Sequence, residues 1–326
     1  MSDHSPAGRP VFDPADRNPE LAALRDAVRR KDWDAVTAGF DAQPDEDHRA
    51  LASDVVSRQR GAELMLRPVI ERSPSDLLAR TLLADRLIKI GWEIRSGARA
   101  QYVSQHQFDE FHAYLRRAEL LLIDVCAEDP GYALAWCLRV TTSRGLELGL
   151  SETRRRYDRL AEHHPHHFAA QQQSLQQLCP KWGGSWEAAH GFADACVKAA
   201  PEGLPNGALV AIAQMEQYLD VSQKSGTRVA ETYLREPGNQ TRLLEAAARS
   251  VLHPAFASAF RPDSPVAVAA HSAFAAAHCA AGRHAEAAPH FRALGDRATE
   301  FPWHYIGSYD HEAEFVRHRK TALRKG

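Results

Sequence analysis

Two histidine clusters are the residues best suited to chemistry in this chain. His163-His164-Pro165-His166-His167 places four imidazoles within five residues, and imidazole nitrogens suit zinc, copper or nickel. Pro165 breaks a helix where it stands, so no i, i+4 histidine pair lies along one helical face. The string reads as a polar turn between helices. His271, His278, Cys279, His284 and His290 form the second cluster. His271 and His278 share a helical face two turns apart, and His284 lies just beyond Gly282. Glu286 is the one carboxylate close by in sequence, whereas a metal centre needs three or four converging ligands with partners behind them. These histidines are expected in the core or on the surface, with no metal and no other cofactor bound.

Other strings carry weaker chemistry. Cys179-Pro180-Lys181-Trp182-Gly183-Gly184-Ser185-Trp186 reads as a tight turn in which Ser185 caps the next helix and Trp186 anchors its packing. The competing reading is an aromatic loop facing a ligand. Neither the P-loop nor the dinucleotide pattern is present. Arg154-Arg155-Arg156 and Arg159, offset by Glu152, Asp158 and Glu162, read as a solvated basic surface. No nucleophile has an identifiable base, and no carboxylates stand at a motif spacing, so no catalytic residue is assigned. The five cysteines are odd in number and scattered, which argues for buried thiols in place of a disulfide framework.

The elements that would position such residues are legible from six prolines: Pro44, Pro74, Pro130, Pro165, Pro201 and Pro237. Upstream of nearly every one, apolar residues at i, i+3 and i+4 draw a stripe along a helix, as in Leu66/Val69/Ile70 and Leu122/Val125/Cys126. Proline just past the stripe stops that helix, so helices should end within about two residues of Pro130, Pro165 and Pro201. The last four prolines are 35, 36 and 36 residues apart. A helix-turn-helix unit at that period predicts a helical solenoid. Between Pro74 and Pro130 the 56-residue interval fits two lengthened helices, about 75–96 and 107–127, joined by a polar loop around 97–105. After Pro237 the phase weakens. Residues 253–263 read as a linker, Ser264 as a cap before Pro265, and Gly282 as the end of an alanine-rich helix. Phe301-Pro302-Trp303-His304-Tyr305 reads as an aromatic plug and 310–324 as a polar terminal helix. Residues 1–18 are expected to be disordered or loosely docked, 19–252 to form the helical array, and 253–326 to form a C-terminal helical unit with an aromatic cap.

Composition narrows the class. Net charge is −2, with 44% hydrophobic and 25% charged residues, so there is no electrostatic footprint for nucleic acid or an anionic membrane. No apolar run approaches the ~18 residues that span a bilayer, and a cytoplasmic location is expected.

The segment from Phe274 through Gly282, Ala287 and Phe291 to Leu294 resembles a tetratricopeptide repeat, with a glycine turn, a small residue at the helix crossing and an aromatic one turn later. Trp33, Val36, Phe40 and Pro44 look like the second helix and terminal proline of the same unit. Leu83, Ala84 and Leu87 match first-helix packing positions. Arg139 stands where leucine is usual in that family, and Gln171 where an aromatic is usual. The chain is also similar to actinobacterial helical-repeat proteins of unassigned activity. The resemblance implies an all-α, right-handed superhelical stack of antiparallel helix pairs whose first helices line a concave groove. On that reading Asp85, Lys89, Thr141, Arg144, Gln172, Gln176 and Glu216 are exposed along the groove and hold a protein or peptide segment, with polar contacts dominating. The alternatives are a metal- or small-molecule-dependent enzyme built on the histidine-rich turns, and a regulatory subunit that forms a homodimer through its C-terminal aromatic segment.

Overall fold

The structure is a computed structural model in which residues 8–97, 102–307 and 310–326 are described; part of the expected loop around 97–105 lies outside them. All regular structure among the described residues is helical, and an isolated bridge between Val11 and Arg297 is their one extended pairing. The helices fall into two compact units, Pro19–Gly183 and Gly184–Gly326, the latter including residues 8–18. This boundary lies at a different position from the expected end of the helical array at residue 252.

The Pro19–Gly183 unit contains α1 (Pro19–Arg30), α2 (Trp33–Asp41), α3 (Glu46–Ser57), α4 (Ala62–Arg72), α5 (Leu77–Arg95), α6 (Gln105–Glu128), α7 (Ala133–Gly145), α8 (Leu150–Ala161) and α9 (Phe168–Leu178). Local chemistry starts them. Asp32, Asp45 and Asp76 each accept the amide three residues on, and Ser104 with Gln107 closes a reciprocal capping box at α6. α5 packs on α3, α4 and α6, while α7 packs on α3, α6, α8 and α9. The α6 stripe is fully buried: Leu115, Ala118, Leu122 and Val125 are each 0% exposed.

Helices stop at Glu128 before Pro130 and at Ala199 before Pro201, within the expected window. The window fails at Pro165. α8 already ends at Ala161, because the amides of His163 and His164 both turn back onto the Leu160 carbonyl, at 3.2 and 2.9 Å. The two departures from the repeat pattern are buried polar residues with partners. Arg139 Nε donates to Glu119 at 3.0 Å, and its guanidinium lies 4.8 Å from the Trp136 ring centroid. Gln171 Nε2 donates to the Pro165 carbonyl at 3.0 Å and to the Tyr157 hydroxyl at 3.3 Å. A buried donor left unpaired would cost ~1–3 kcal/mol, so these partners are what make a polar residue tolerable there.

The second unit contains α10 (Trp186–Ala199), α11 (Ala208–Ser225), α12 (Thr227–Arg235), α13 (Pro237–Arg249), α14 (Pro254–Ala259), α15 (Pro265–Ala280), α16 (His284–Leu294) and α17 (His311–Lys325). Pro237 is the first residue of α13, where its missing amide hydrogen costs no helix bond. The expected linker 253–263 carries the short α14 instead, begun by Pro254 after the His253 cap. Ser264 precedes α15 without a side-chain capping bond. α15 and α16 are joined by Gly282, whose φ of 76° lies in the left-handed region that glycine enters without strain; Ala287 and Phe291 are buried beyond it. Residues 8–18 are held firmly: Val11 exchanges backbone bonds with Asp296 and Ala298, and Arg17 donates to the carbonyls of Val11 and Ala298 at 2.9 and 2.8 Å. Residues 1–7 of the expected lead-in lie outside the described residues.

Candidate functional site

A cleft of about 470 Å³ opens in the Pro19–Gly183 unit. α3 contributes Leu51 and Asp54. α5 contributes Asp85, Ile88, Lys89 and Trp92, spaced i, i+3, i+4 and i+7 on one face. α7 adds Leu134, Leu138, Thr141 and Arg144, α9 adds Gln172 and Gln173, and the turn after α9 adds Trp182. Each contributing helix is the first of its expected pair. The floor is aliphatic and the rim polar, the make-up of a site that seats an apolar group and orients it by hydrogen bonds. A larger depression of about 560 Å³ is lined by Lys31, Asp32, Trp33, Asp34, Val69, Arg72 and Ser73. Val69 is its single aliphatic residue, against Leu51, Ile88, Leu134 and Leu138 in the smaller cleft, which is therefore the better candidate.

Five of the seven expected groove residues meet here: Asp85, Lys89, Thr141, Arg144 and Gln172. Gln176 is half-buried on α9 and does not line the cleft. Glu216 belongs to the other unit, where it is 2% exposed and accepts the Tyr305 hydroxyl at 2.9 Å. Exposure is the main correction. Asp85 is buried and accepts a hydrogen bond from the buried Ser53 hydroxyl. Arg144 is half-buried: it donates to the Gln173 carbonyl at 3.1 Å and to Gln173 Oε1 at 2.8 Å. Its guanidinium lies 5.8 Å from the Trp92 ring centroid and 5.6 Å from that of Trp182. The two indoles stand edge to face at 6.1 Å. A cation between two aromatic rings braces them as a wall.

The acidic side of the cleft is a three-residue arrangement with no sequence motif. Lys89 Nζ reaches Asp54 Oδ1 at 2.8 Å. Burial works against the Asp54 charge, but Lys89 and Arg58 outweigh it and hold the carboxyl below its ordinary range. Burial pushes Asp85 up, only partly opposed by Lys89 and the Ser53 hydroxyl. One carboxyl is therefore kept ionised and its neighbour is biased towards the protonated form.

Trp92, Trp182 and Asp54 were missed. Trp92 had a signal, being seven residues beyond Asp85 on the same face. Trp182 belongs to the Cys179–Trp186 string, whose competing sequence reading is an aromatic loop facing a ligand. Trp186, expected as a packing anchor, is half-buried with its indole N–H 3.2 Å from Asp220. The basic surface on α8 is solvated and offset by acids as expected at three of its four arginines and departs from expectation at Arg156. Arg154, Arg155 and Arg159 pair with acidic neighbours at i±3 or i+4, while Arg156 is buried against Glu119 and Glu152.

The histidines separate by location. His167 caps α9, accepting the Ala170 amide at 3.2 Å, and lies 3.2 Å from Asp47. In the second unit His271 and His290 bring their Nδ1 atoms to 3.1 Å, and His290 also stacks on Phe274. Among the described residues one group of potential metal ligands converges, Cys279 with His284 and His318.

Burial and then Arg297 push His271 down to about 4, and burial with the neighbouring imidazoles pushes His290 well below its usual value. Unfolded histidine titrates near 6.5. The unfolded chain therefore binds protons that the fold refuses, and stability is lost as pH falls from about 6.5 towards 4. For His271 alone the loss is on the order of 3 kcal/mol. Urea midpoints measured at pH 7.5, 6 and 4.5 should fall steadily in the wild type and fall less in His271→Gln; equal slopes would show that His271 is hydrated in the fold.

No protein-family model matches the chain, and no curated protein matches it. The likeness to tetratricopeptide repeats therefore stands on the residues quoted above and on a fold of helices packed against their neighbours.

Proposed function

We propose that the helix pairs of the Pro19–Gly183 unit stack in the tetratricopeptide manner and that their cleft binds an extended protein or peptide segment, making the chain an adaptor or scaffold. The supporting observation is the cleft itself: first-helix residues of α3, α5, α7 and α9 converge on an aliphatic floor beside the Trp92–Arg144–Trp182 wall. An apolar or aromatic side chain of the partner seats on the floor, and Gln172 and Thr141 meet its backbone. This differs from a groove of purely polar contacts, because Arg144 and Lys89 are already engaged within the protein. Desolvated aromatic and arginine groups beside a pocket are where binding energy concentrates. The five cysteines are buried free thiols, which accords with the cytoplasmic setting of this reading.

A second reading, a small-molecule enzyme, is favoured by the Asp54 and Asp85 carboxyls, whose opposite displacements resemble an acid and base held apart. It places the chemistry in the cleft, whereas His167 of the first histidine-rich turn caps α9.

Selection from a random peptide library against the purified chain tests the first reading. Selected sequences should share an apolar or aromatic anchor, and Trp182→Ala should weaken them by ~2 kcal/mol or more while the far-ultraviolet circular dichroism is retained. Arg144→Glu is a poor probe, because reversal would also unbrace the wall. Peptides that bind wild type and Trp182→Ala equally would remove the cleft from consideration.

A further inference from the structure

We propose that Cys279, His284 and His318 bind one zinc ion, leaving its fourth position open to solvent. Cys279 lies in the last turn of α15, His284 opens α16 just past Gly282, and His318 comes from α17, which packs on α16. One ligand atom from each lies within 4.8 Å of the other two. His284 Nε2 and His318 Nδ1 are 3.2 Å apart, and the rings stack at 5.3 Å. Zinc–nitrogen bonds of ~2.0–2.1 Å in a tetrahedron place two ligand nitrogens about 3.3 Å apart, so the histidine pair already spans one tetrahedral edge. A zinc–sulfur bond of ~2.3 Å sets a sulfur–nitrogen edge of about 3.6 Å, so a sulfur within 4.8 Å of the nitrogens closes that edge by moving about 1.2 Å or less.

The tautomers fit the same assignment. His284 Nδ1 donates to the Gly282 carbonyl at 3.1 Å, which leaves the Nε2 lone pair facing the centre. A backbone carbonyl on the far nitrogen is a common way of fixing a metal-binding imidazole. On His318 the far nitrogen, Nε2, has two neighbours: Arg317 Nη2 donates to it at 2.8 Å, and Glu314 Oε2 lies 3.6 Å away. Without metal, His318 Nδ1 carries its proton towards His284. With zinc, that proton is carried on Nε2 instead and turns to the Glu314 carboxylate. The Arg317 guanidinium, 60% exposed and paired with Glu314, moves away from the ring. Burial keeps both imidazoles neutral, as ligation requires. The Cys279 thiol is held protonated by burial, so coordination releases one proton from sulfur to solvent and the His318 tautomer change releases none. Entry is past the half-buried His284 ring. The site is independent of the cleft reading and goes beyond it.

The test uses full-length, tag-free protein stripped with chelator and titrated with Co²⁺, then with Zn²⁺. One equivalent should give visible bands of tetrahedral cobalt and a thiolate-to-cobalt charge-transfer band, both erased by zinc. Cys279→Ser should lose the charge-transfer band, and His284→Ala should weaken zinc at least ~100-fold, beyond the usual effect of an outer partner. Arg317→Gln, a surface change that leaves the core intact, should tighten binding about 10-fold by removing the competing cation and drawing the donor back from His318 on a shorter side chain. A chain that takes up no cobalt, a spectrum without thiolate character, or unchanged affinity in both His284→Ala and Arg317→Gln would overturn the assignment.

Discussion

Replacing Glu119 with alanine is expected to cost ~3–5 kcal/mol of stability. Glu119 sits on α6 with its side chain 10% exposed, between Arg139 of α7 and Arg156 of α8, which are 10% and 4% exposed. One carboxylate oxygen accepts from Arg139 Nε at 3.0 Å and Arg156 Nη2 at 2.9 Å. The other accepts from Arg156 Nη1 at 2.9 Å and the Thr142 hydroxyl at 2.5 Å. Alanine removes the shared countercharge and leaves two buried guanidinium groups without it. Glu152 still reaches Arg156 at 2.7 Å, but Arg139 has no comparable carboxylate among its described bonds. The penalty comes mainly from stranding charge, so Glu119→Leu combined with Arg139→Leu and Arg156→Met should cost much less than the sum of the single changes. Urea denaturation of the single and triple variants checks this. A single-variant cost below ~1 kcal/mol would mean that the network behaves as a hydrated surface pair.

Trp303→Ala should cost a similar ~3–5 kcal/mol in the second unit. The indole is 0% exposed, 5.6 Å from the Phe291 ring and 5.3 Å from that of Phe315, and its N–H donates to the Ser272 hydroxyl at 2.7 Å. Truncation opens a cavity between α15, α16 and α17 that rigid aromatic neighbours cannot close. Trp303→Phe keeps most of the contact and loses the Ser272 bond, so its cost should fall to ~1–2 kcal/mol. Equal midpoints for wild type and Trp303→Ala would show that the aromatic segment does not close this core.

Sequence carried the local half of this structure. Proline past an apolar stripe placed the ends of α6 and α10, because the lost amide and the restricted preceding residue act on the chain itself. The same signal misplaced the end of α8, where two amides competing for the Leu160 carbonyl stop the helix earlier. Five cleft residues could be picked from helix phase, since matching faces of successive first helices converge. Their exposure could not. Whether Asp85 is open or buried depends on Ser53 and Lys89, and the Arg144 environment depends on Trp92 and Trp182 from other elements. Polar pairing between distant segments has no period. For the same reason Arg139 and Gln171 read as faults in the repeat until Glu119 and Pro165 were beside them, and His318 was absent from the C-terminal histidine cluster.

On the proposed function, an extended peptide is held in the α3–α5–α7–α9 cleft. Photocrosslinking tests it most directly, with a benzophenone amino acid placed at Gln172 in the cleft or at Arg154, 70% exposed on α8. With a peptide selected against the wild-type chain, position 172 should give a covalent adduct, suppressed by excess unlabelled peptide, and position 154 none. Adduct formation from position 154 with none from position 172, in variants that bind the peptide as tightly as wild type, would contradict that placement.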